Sequence, residues 1–187
     1  MTTRLTNLST PYVFRFQVTT SGTPEQLTVK RRAATIAFNE NTASADTITD
    51  SGNGFVVAGF QAGDTITVAG SASNDGTYTI GSVVAGTITL IAANDLAAEL
   101  AGATVTLTAP KTVPDGISVV VKARNANTGI ISVGYSSATA LNTATSSFTL
   151  DNNESVSLQV ENINQIWLDT SVSGETVEVI FEKSLQA

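Results

Sequence analysis

Two pairs of aspartates are the side chains of this sequence whose type and spacing could support a reaction: Asp46 with Asp50, and Asp64 with Asp75. Two carboxyl groups that flank a glycosidic bond can act as acid and base in its hydrolysis. Each of these aspartates, however, lies at a predicted turn, where its oxygens cap backbone N–H groups. We therefore predict structural roles for all four carboxylates and no enzymatic activity.

Oxygen-rich turns could also hold a cation. Asn74-Asp75-Gly76 and Asp151-Asn152-Asn153-Glu154 offer several oxygens of the kind that Ca²⁺ prefers. Neither matches a complete calcium loop, and both are typical of hairpin turns, which is the interpretation we favour. The chain has no histidine and no cysteine, so the commonest general base, the commonest zinc ligand and thiol chemistry are all missing. We predict no metal and no cofactor.

The charge and the hydropathy pattern indicate which partners to expect. The formal net charge is −7, which argues against nucleic acid as a partner. No apolar run reaches the length of a membrane span, and the first residues do not resemble a signal peptide. We expect neither a nucleic-acid partner nor a membrane.

The elements that must position these residues read as strands. Residues 12–19 alternate apolar and polar side chains, which is typical of a half-buried strand. The turn Pro114-Asp115-Gly116 precedes residues 117–121, which are apolar at nearly every position and are expected to be covered on both faces. Similar short strands follow to the end of the chain. The pattern predicts an all-β protein with an antiparallel β-sandwich, preceded by an N-terminal arm of residues 1–11.

The middle of the chain has a different texture. Residues 33–110 form short strands, including one at residues 55–58, in which threonine often alternates with an aliphatic residue. One or two helical turns are predicted at residues 94–100. The segment contains seven acidic residues and no basic ones. We predict that it is a small acidic β-barrel or sandwich domain inserted into a loop of a host domain made of residues 12–32 and 111–187.

Candidate contacts with a second subunit or another protein are seven: Arg4, Tyr12, Lys30, Arg31, Arg32, Lys111 and Trp167. The basic residues beside the acidic segment can be either a contact for an acidic partner surface or a solvated linker. Trp167 lies between two apolar residues, so it belongs either to the core or to a buried subunit contact. We favour the core for Trp167.

Two sets of motifs carry a resemblance. Val113-Pro-Asp-Gly-Ile-Ser-Val-Val-Val-Lys-Ala, Asn127-Thr-Gly-Ile-Ile-Ser-Val-Gly and Asn162-Ile-Asn-Gln-Ile-Trp-Leu-Asp resemble a β-sandwich module of virion structural proteins from tailed bacteriophages. Gly63-Asp-Thr-Ile-Thr-Val and Asn74-Asp-Gly-Thr-Tyr-Thr-Ile are similar to a small β domain that recurs in phage proteins. In the sandwich module the element like Gly22-Thr-Pro-Glu-Gln-Leu comes shortly before the Pro-Asp-Gly turn. Here about 80 residues separate them, which suggests an insertion.

The resemblance implies a non-enzymatic part of a virion, made in the host cytoplasm. We expect a capsid decoration or cement protein on the capsid exterior, which clamps neighbouring subunits of the major capsid protein. Icosahedral capsids offer threefold sites, so a homotrimer is the expected oligomer. The alternative that the sequence leaves open is a tail, baseplate or head-fibre module that binds a host receptor or glycan.

Overall fold

The computed structural model of the protein describes residues 10–144 and 147–183. It confirms the predicted all-β class, because the sheets of the described part are antiparallel throughout and its helical segments are four residues long or shorter. The chain divides into two compact units. Unit 1 comprises Met1–Leu27 with Lys111–Ala187, and unit 2 comprises Thr28–Pro110.

In chain order the elements are β1 (Thr10–Gln17), β2 (Glu25–Gln26), β3 (Val29–Ala33), β4 (Ile36–Asn39), β5 (Thr47–Asp50), α1 (Phe55–Ala58), β6 (Thr65–Ala69), β7 (Gly76–Val84), β8 (Thr87–Leu90), β9 (Val105–Ala109), β10 (Val119–Ala123), β11 (Ile131–Gly134), α2 (Ser137–Ala140), β12 (Phe148–Leu150), β13 (Ser155–Leu158), a 3-10 turn (Ile163–Gln165), β14 (Trp167–Thr170) and β15 (Thr176–Lys183).

Unit 1 is a sandwich of two four-stranded sheets. One sheet has the strand order β1-β15-β10-β13, and the other, read in the matching direction, has the order β2-β14-β11-β12. Strands that are consecutive in the chain therefore face each other across the sandwich: β1 faces β2, β10 faces β11, β12 faces β13, and β14 faces β15. Short connections of this kind hold two sheets face to face. One open side of the sandwich is formed by β1 and β2, and the other by β12 and β13.

The core of unit 1 follows from the alternation of its strands. Residues of β1 and β15 that lie directly opposite each other are buried: Tyr12 with Phe181, Phe14 with Val179, and Phe16 with Val177. The facing sheet adds Ile131, Val133, Leu150 and Leu168. Burying each such side chain stabilises the fold by about 1.5–3 kcal/mol. Only one face of β10 is fully buried, because Val120 is half-exposed, so the two-sided coverage predicted for residues 117–121 is wrong.

Unit 2 is built on a seven-stranded sheet with the order β3-β9-β6-β7-β8-β5-β4. Its two outermost strands, β3 and β4, are consecutive in the chain and are joined by a turn at Ala34 and Thr35. The sheet must therefore curl until its ends meet, as in a small barrel. A bulge at Gly81 interrupts the pairing of β7 with β8, between Ile80 and Ser82, and such bulges bend a strand and increase its twist.

The prediction of a helix at residues 94–100 is wrong. Side chains from other parts of unit 2 hold this backbone in an irregular form. Asp46 accepts a hydrogen bond of 2.6 Å from the N–H of Leu96. The amide of Asn74 accepts from the N–H of Ala97 at 2.8 Å and donates to its carbonyl at 3.0 Å. These bonds occupy backbone groups that a helix would pair internally, so tertiary contacts override the local capping signal.

A helix occurs instead at α1, where a strand was predicted. Phe55 and Ala58, three residues apart, are buried, whereas Val56 and Val57 are exposed. Gly59 ends the helix in the left-handed conformation, with φ at 99°. A four-residue apolar run is too short for its periodicity to separate helix from strand. A second short helix, α2, has Ser136 as its N-cap, and the hydroxyl of Ser136 accepts from the N–H of Thr139.

Two predicted boundaries also move. β1 begins at Thr10, so the predicted arm of residues 1–11 is shortened at its end, and its part before Thr10 lies outside the described residues. The predicted domain boundary at residue 33 falls at the end of β3. Because β3 pairs with β9 along its whole length, Lys30, Arg31 and Arg32 belong to unit 2, which then has seven acidic and three basic residues. That unit 2 is an inserted domain able to fold alone stays a prediction.

Candidate functional site

The aspartates that could have formed a catalytic pair are used to hold loops. Asp46 accepts from the N–H of Asn41 and of Leu96, and it is buried. Asp64 accepts from the N–H of Gln61 at 2.8 Å. Asp75 accepts from both the N–H and the hydroxyl of Ser71. These carboxylates have the backbone-capping role that the turns predicted for them.

Asp50 is the most strongly held of these carboxylates. Its two oxygens accept hydrogen bonds from Thr35, Gly52 and Gly54, and an ion pair with Arg31 at 2.7 Å completes the set. Burial by itself raises the pKa of Asp50, but the bonds from Arg31, Thr35 and the two glycine N–H groups outweigh it and lower the pKa to about 2. A carboxyl group with this pKa stays ionised near neutral pH and is not suited to general acid catalysis.

The turn that contains Asn74 and Asp75 is closed by its own hydrogen bonds. Hydrogen bonds from the Ser71 hydroxyl and backbone lower the pKa of Asp75. The N–H of Ala72, with further help from Asn74 and the N–H of Ser73, lowers the pKa of Glu99. Among residues 10–144 and 147–183 no three His, Cys, Asp or Glu side chains form a group that could hold a metal ion.

Of the predicted contact residues, the structure brings Tyr12 and Lys111 together. The Lys111 ammonium lies 4.8 Å from the centre of the Tyr12 ring, a cation–π contact, and both side chains are buried. The Tyr12 ring also packs against the rings of Phe14 and Phe181. Both residues therefore contribute to the inside of unit 1.

The other predicted contacts are dispersed. Arg31 is paired with the buried Asp50, whereas Arg32 is exposed on the same strand. Lys30 is half-buried. Trp167 is half-buried on β14 beside Gln26 and Gly134, while Leu168 faces the core. Arg4 lies outside the described residues.

Unit 1 carries an apolar cleft of about 410 Å³, which we call the edge cleft. It lies on the open side of the sandwich formed by β12 and β13. Its walls come from the end of β11 and the residue after it, from β12, from β13 and the residues after it, and from the end of the 3-10 turn and the residue that follows: Val133, Gly134, Tyr135, Phe148, Val156, Leu158, Gln159, Val160, Gln165 and Ile166.

The edge cleft is a part of the core that this side of the sandwich leaves uncovered. Leu158 lies opposite the buried Val119, and Phe148 lies opposite the buried Val133, so both point to the core side of their sheets. Phe148 is nevertheless 56% exposed and Tyr135 81% exposed. The two strands are also the last in their sheets, so each presents one edge that no described strand pairs.

Sequence reasoning missed the edge cleft. The alternation of Val156 and Leu158 identified β13 as a strand with an apolar face, but an interior strand shows the same pattern. Which strands lie at the edges depends on the order of the strands in the sheets, which no local pattern records. Tyr135 is a large aromatic residue just after the end of β11, and only the structure shows that it is exposed.

The arrangement offers apolar contact surface and unpaired strand edges, which suit the side chains and backbone of another polypeptide. Comparisons with protein-family models, with curated proteins and with solved structures found no match for this chain. Within the described part of the chain, no helix has the length and apolar character needed to cross a membrane.

Proposed function

We propose that the protein is a non-enzymatic structural protein of a tailed-phage virion, a capsid decoration or cement protein that works as a homo-oligomer, with a trimer expected. The observation that carries this proposal is the edge cleft, where core-facing side chains are exposed and two strand edges have no partner among the described strands. Contiguous apolar surface of this kind marks protein contacts. A protein built to be covered by other proteins fits assembly better than turnover of a small substrate.

The virion part of the proposal is supported by the resemblance of the turn-and-strand motifs that begin at Val113, Asn127 and Asn162. In the structure, the segments that follow these three starting points contain β10, β11 and β14 of unit 1. The unit that carries the resemblance is therefore also the unit that carries the edge cleft. The non-enzymatic part is supported by the carboxylates, whose oxygens accept backbone hydrogen bonds.

A second candidate function is a tail, baseplate or head-fibre module that presents unit 2 to a host receptor or glycan. One observation favours it. Val56 and Val57 are exposed on α1, and the N–H of Phe55 bonds to the carbonyl of Ala85, next to the exposed Val84. This places a small apolar patch on the surface of unit 2, where it is available to a ligand.

The proposal is tested by locating the protein in particles. Virions assembled with a labelled copy should carry the label on the capsid exterior, and purified protein should sediment with empty capsids. Label at the tail or at fibres would favour the second candidate function. Absence of the protein from purified virions would overturn both candidates.

A further inference from the structure

We infer that the edge cleft of one copy receives the N-terminal segment Met1–Ser9 of a second copy. This inference rests on the self-association that the proposed function requires, and it names the segment and the surface that would provide it. It draws on three observations: the chemistry of the cleft and its surroundings, the composition of the segment, and the place where the segment joins the sandwich.

The surroundings of the cleft are apolar on one side and acidic on the other. Gln159 and Val160 also line a neighbouring recess of about 200 Å³, whose walls include Asp115 and Glu161. Among the residues that the structure describes, no lysine or arginine lines the cleft or this recess. An occupant of matching chemistry therefore has large apolar side chains, followed by a positive charge.

The segment Met1–Ser9 has this composition. It contains Met1, Leu5 and Leu8 as apolar side chains, Arg4 as its basic residue and no acidic residue. From Thr10 toward the N-terminus, the sequence has first Leu8, then Leu5 and then Arg4. The two leucines match the apolar cleft, and the arginine then reaches the recess with Asp115 and Glu161.

The position of β1 indicates that the cleft belongs to a second copy. The segment joins the sandwich at Thr10, the start of β1, and β1 and β13 are the two outermost strands of the same sheet. Three strand spacings separate them, which is about 14 Å, or roughly four residues of extended chain. If the segment crossed to the cleft of its own copy, Leu8 would be one of the residues that span this distance, and it could not lie in the cleft. A second copy can accept both leucines.

The contact that results is head-to-tail, because β1, to which the donated segment is joined, and the receiving cleft lie on opposite sides of the sandwich. Contacts between different surfaces close into rings when the rotation between copies allows it. A ring of three copies is the trimer expected for the proposed function. The mass of the assembly reports the number of copies in the ring.

The segment is tested with three purified proteins: the full chain, a chain that lacks residues 1–9, and the variant Leu5→Ser with Leu8→Ser. Light scattering after size exclusion should show an oligomer for the full chain and a monomer for the other two. The matched control, Thr3→Ser with Thr6→Ser, changes the same segment without removing apolar surface and should remain oligomeric.

The cleft is tested with a fluorescent peptide of residues 1–9. It should bind the shortened chain, and the peptide with both leucines changed to serine should bind at least about tenfold more weakly. Tyr135→Ser with Phe148→Ser should abolish peptide binding. Because both side chains are largely exposed, this variant should keep the melting temperature of its parent. Leu100→Ser, at a 91% exposed position of unit 2, is the control and should bind normally.

Three results would overturn the inference. One is an oligomer that persists without residues 1–9. Another is a peptide that does not bind the shortened chain. The third is a monomeric full chain whose shortened form still binds the peptide, which would place the segment in the cleft of its own copy. All of these assays use purified protein without capsids, so failure to bind capsids would count against the proposed function and leave this inference standing.

Discussion

At the scale of single residues, two neighbouring arginines that look equivalent in the sequence have different surroundings. Arg31 reaches the buried carboxylate of Asp50 and passes Gly52 and Gly54, where any added Cβ would collide with its guanidinium group. Arg32 is exposed on the same strand. The two side chains therefore offer a matched pair for measuring what a buried charge contributes to unit 2.

Changing Arg31 to Met should destabilise the protein by about 3 kcal/mol at pH 7, since it leaves Asp50 buried without its counter-charge. Arg32→Met should change the free energy of unfolding by less than about 0.5 kcal/mol. Urea unfolding of the two variants and the parent measures both values. Equal effects of the two changes would show that the ion pair contributes nothing specific.

The same carboxylate makes stability depend on pH. The folded pKa of Asp50 is about 2, below the ordinary value of 3.8, so its contribution is complete above the ordinary value and is lost as pH falls toward 2. A shift of this size corresponds to about 2 kcal/mol. The parent should lose this amount between pH 5 and pH 2, and the cost of Arg31→Met should shrink over the same interval. A cost of Arg31→Met that does not change with pH would contradict this account.

At the scale of elements, the side-chain amides of two asparagines pair with backbone groups in the way that a neighbouring strand would. Asn74 pairs with the N–H and the carbonyl of Ala97, and Asn127 pairs in the same way with both backbone groups of Thr176. Both side chains are buried. Such pairs satisfy backbone groups where no neighbouring strand is present, which is how irregular segments remain buried at low cost.

Asn74→Ala should destabilise unit 2 by about 2 kcal/mol, because it leaves the N–H and the carbonyl of Ala97 without a partner. Amide hydrogen exchange should show faster exchange at Leu96 and Ala97 than in the parent. Asn39→Ala, at an exposed position of β4, is the control and should have little effect. Unchanged exchange at Ala97 would mean that another group holds this segment.

At the scale of the whole molecule, the two chain crossings between the units should allow unit 2 to be removed. Val29 and Ala109, near the two ends of unit 2, are directly paired in β3 and β9, so these ends lie about 5 Å apart. Segments whose ends adjoin can be excised with little effect on the remaining structure.

Replacing residues 28–110 with a few Gly and Ser residues should leave a unit 1 that melts cooperatively, keeps a β-type circular dichroism spectrum and has the parent's oligomeric state. Residues 28–110 expressed alone should fold as an acidic monomer. Loss of folding in both fragments, with a single melting transition in the full chain, would show that the units share their stability and are not a host and an inserted domain.

The sequence by itself determined the class of the fold and most of its strands. Alternating side chains marked one buried face in β1 and in β15 and one apolar face in β13, because the period of a strand is a local property of the chain. The turn at Pro114-Asp115-Gly116 and the threonine-rich texture of unit 2 were readable for the same reason. The capping roles of Asp64 and Asp75 also followed from the residues next to them.

Only the tertiary structure decided which residues meet across long stretches of chain. The partner of Arg31 is 19 residues away, and the side chains that hold Leu96 and Ala97 come from 50 and 23 residues away, so the helical signal at residues 94–100 could not reveal them. The edge cleft depends on β12 and β13 being the last strands of their sheets. Strand order is set by the pairing of whole strands in competition with one another, and no single stretch of sequence records the result.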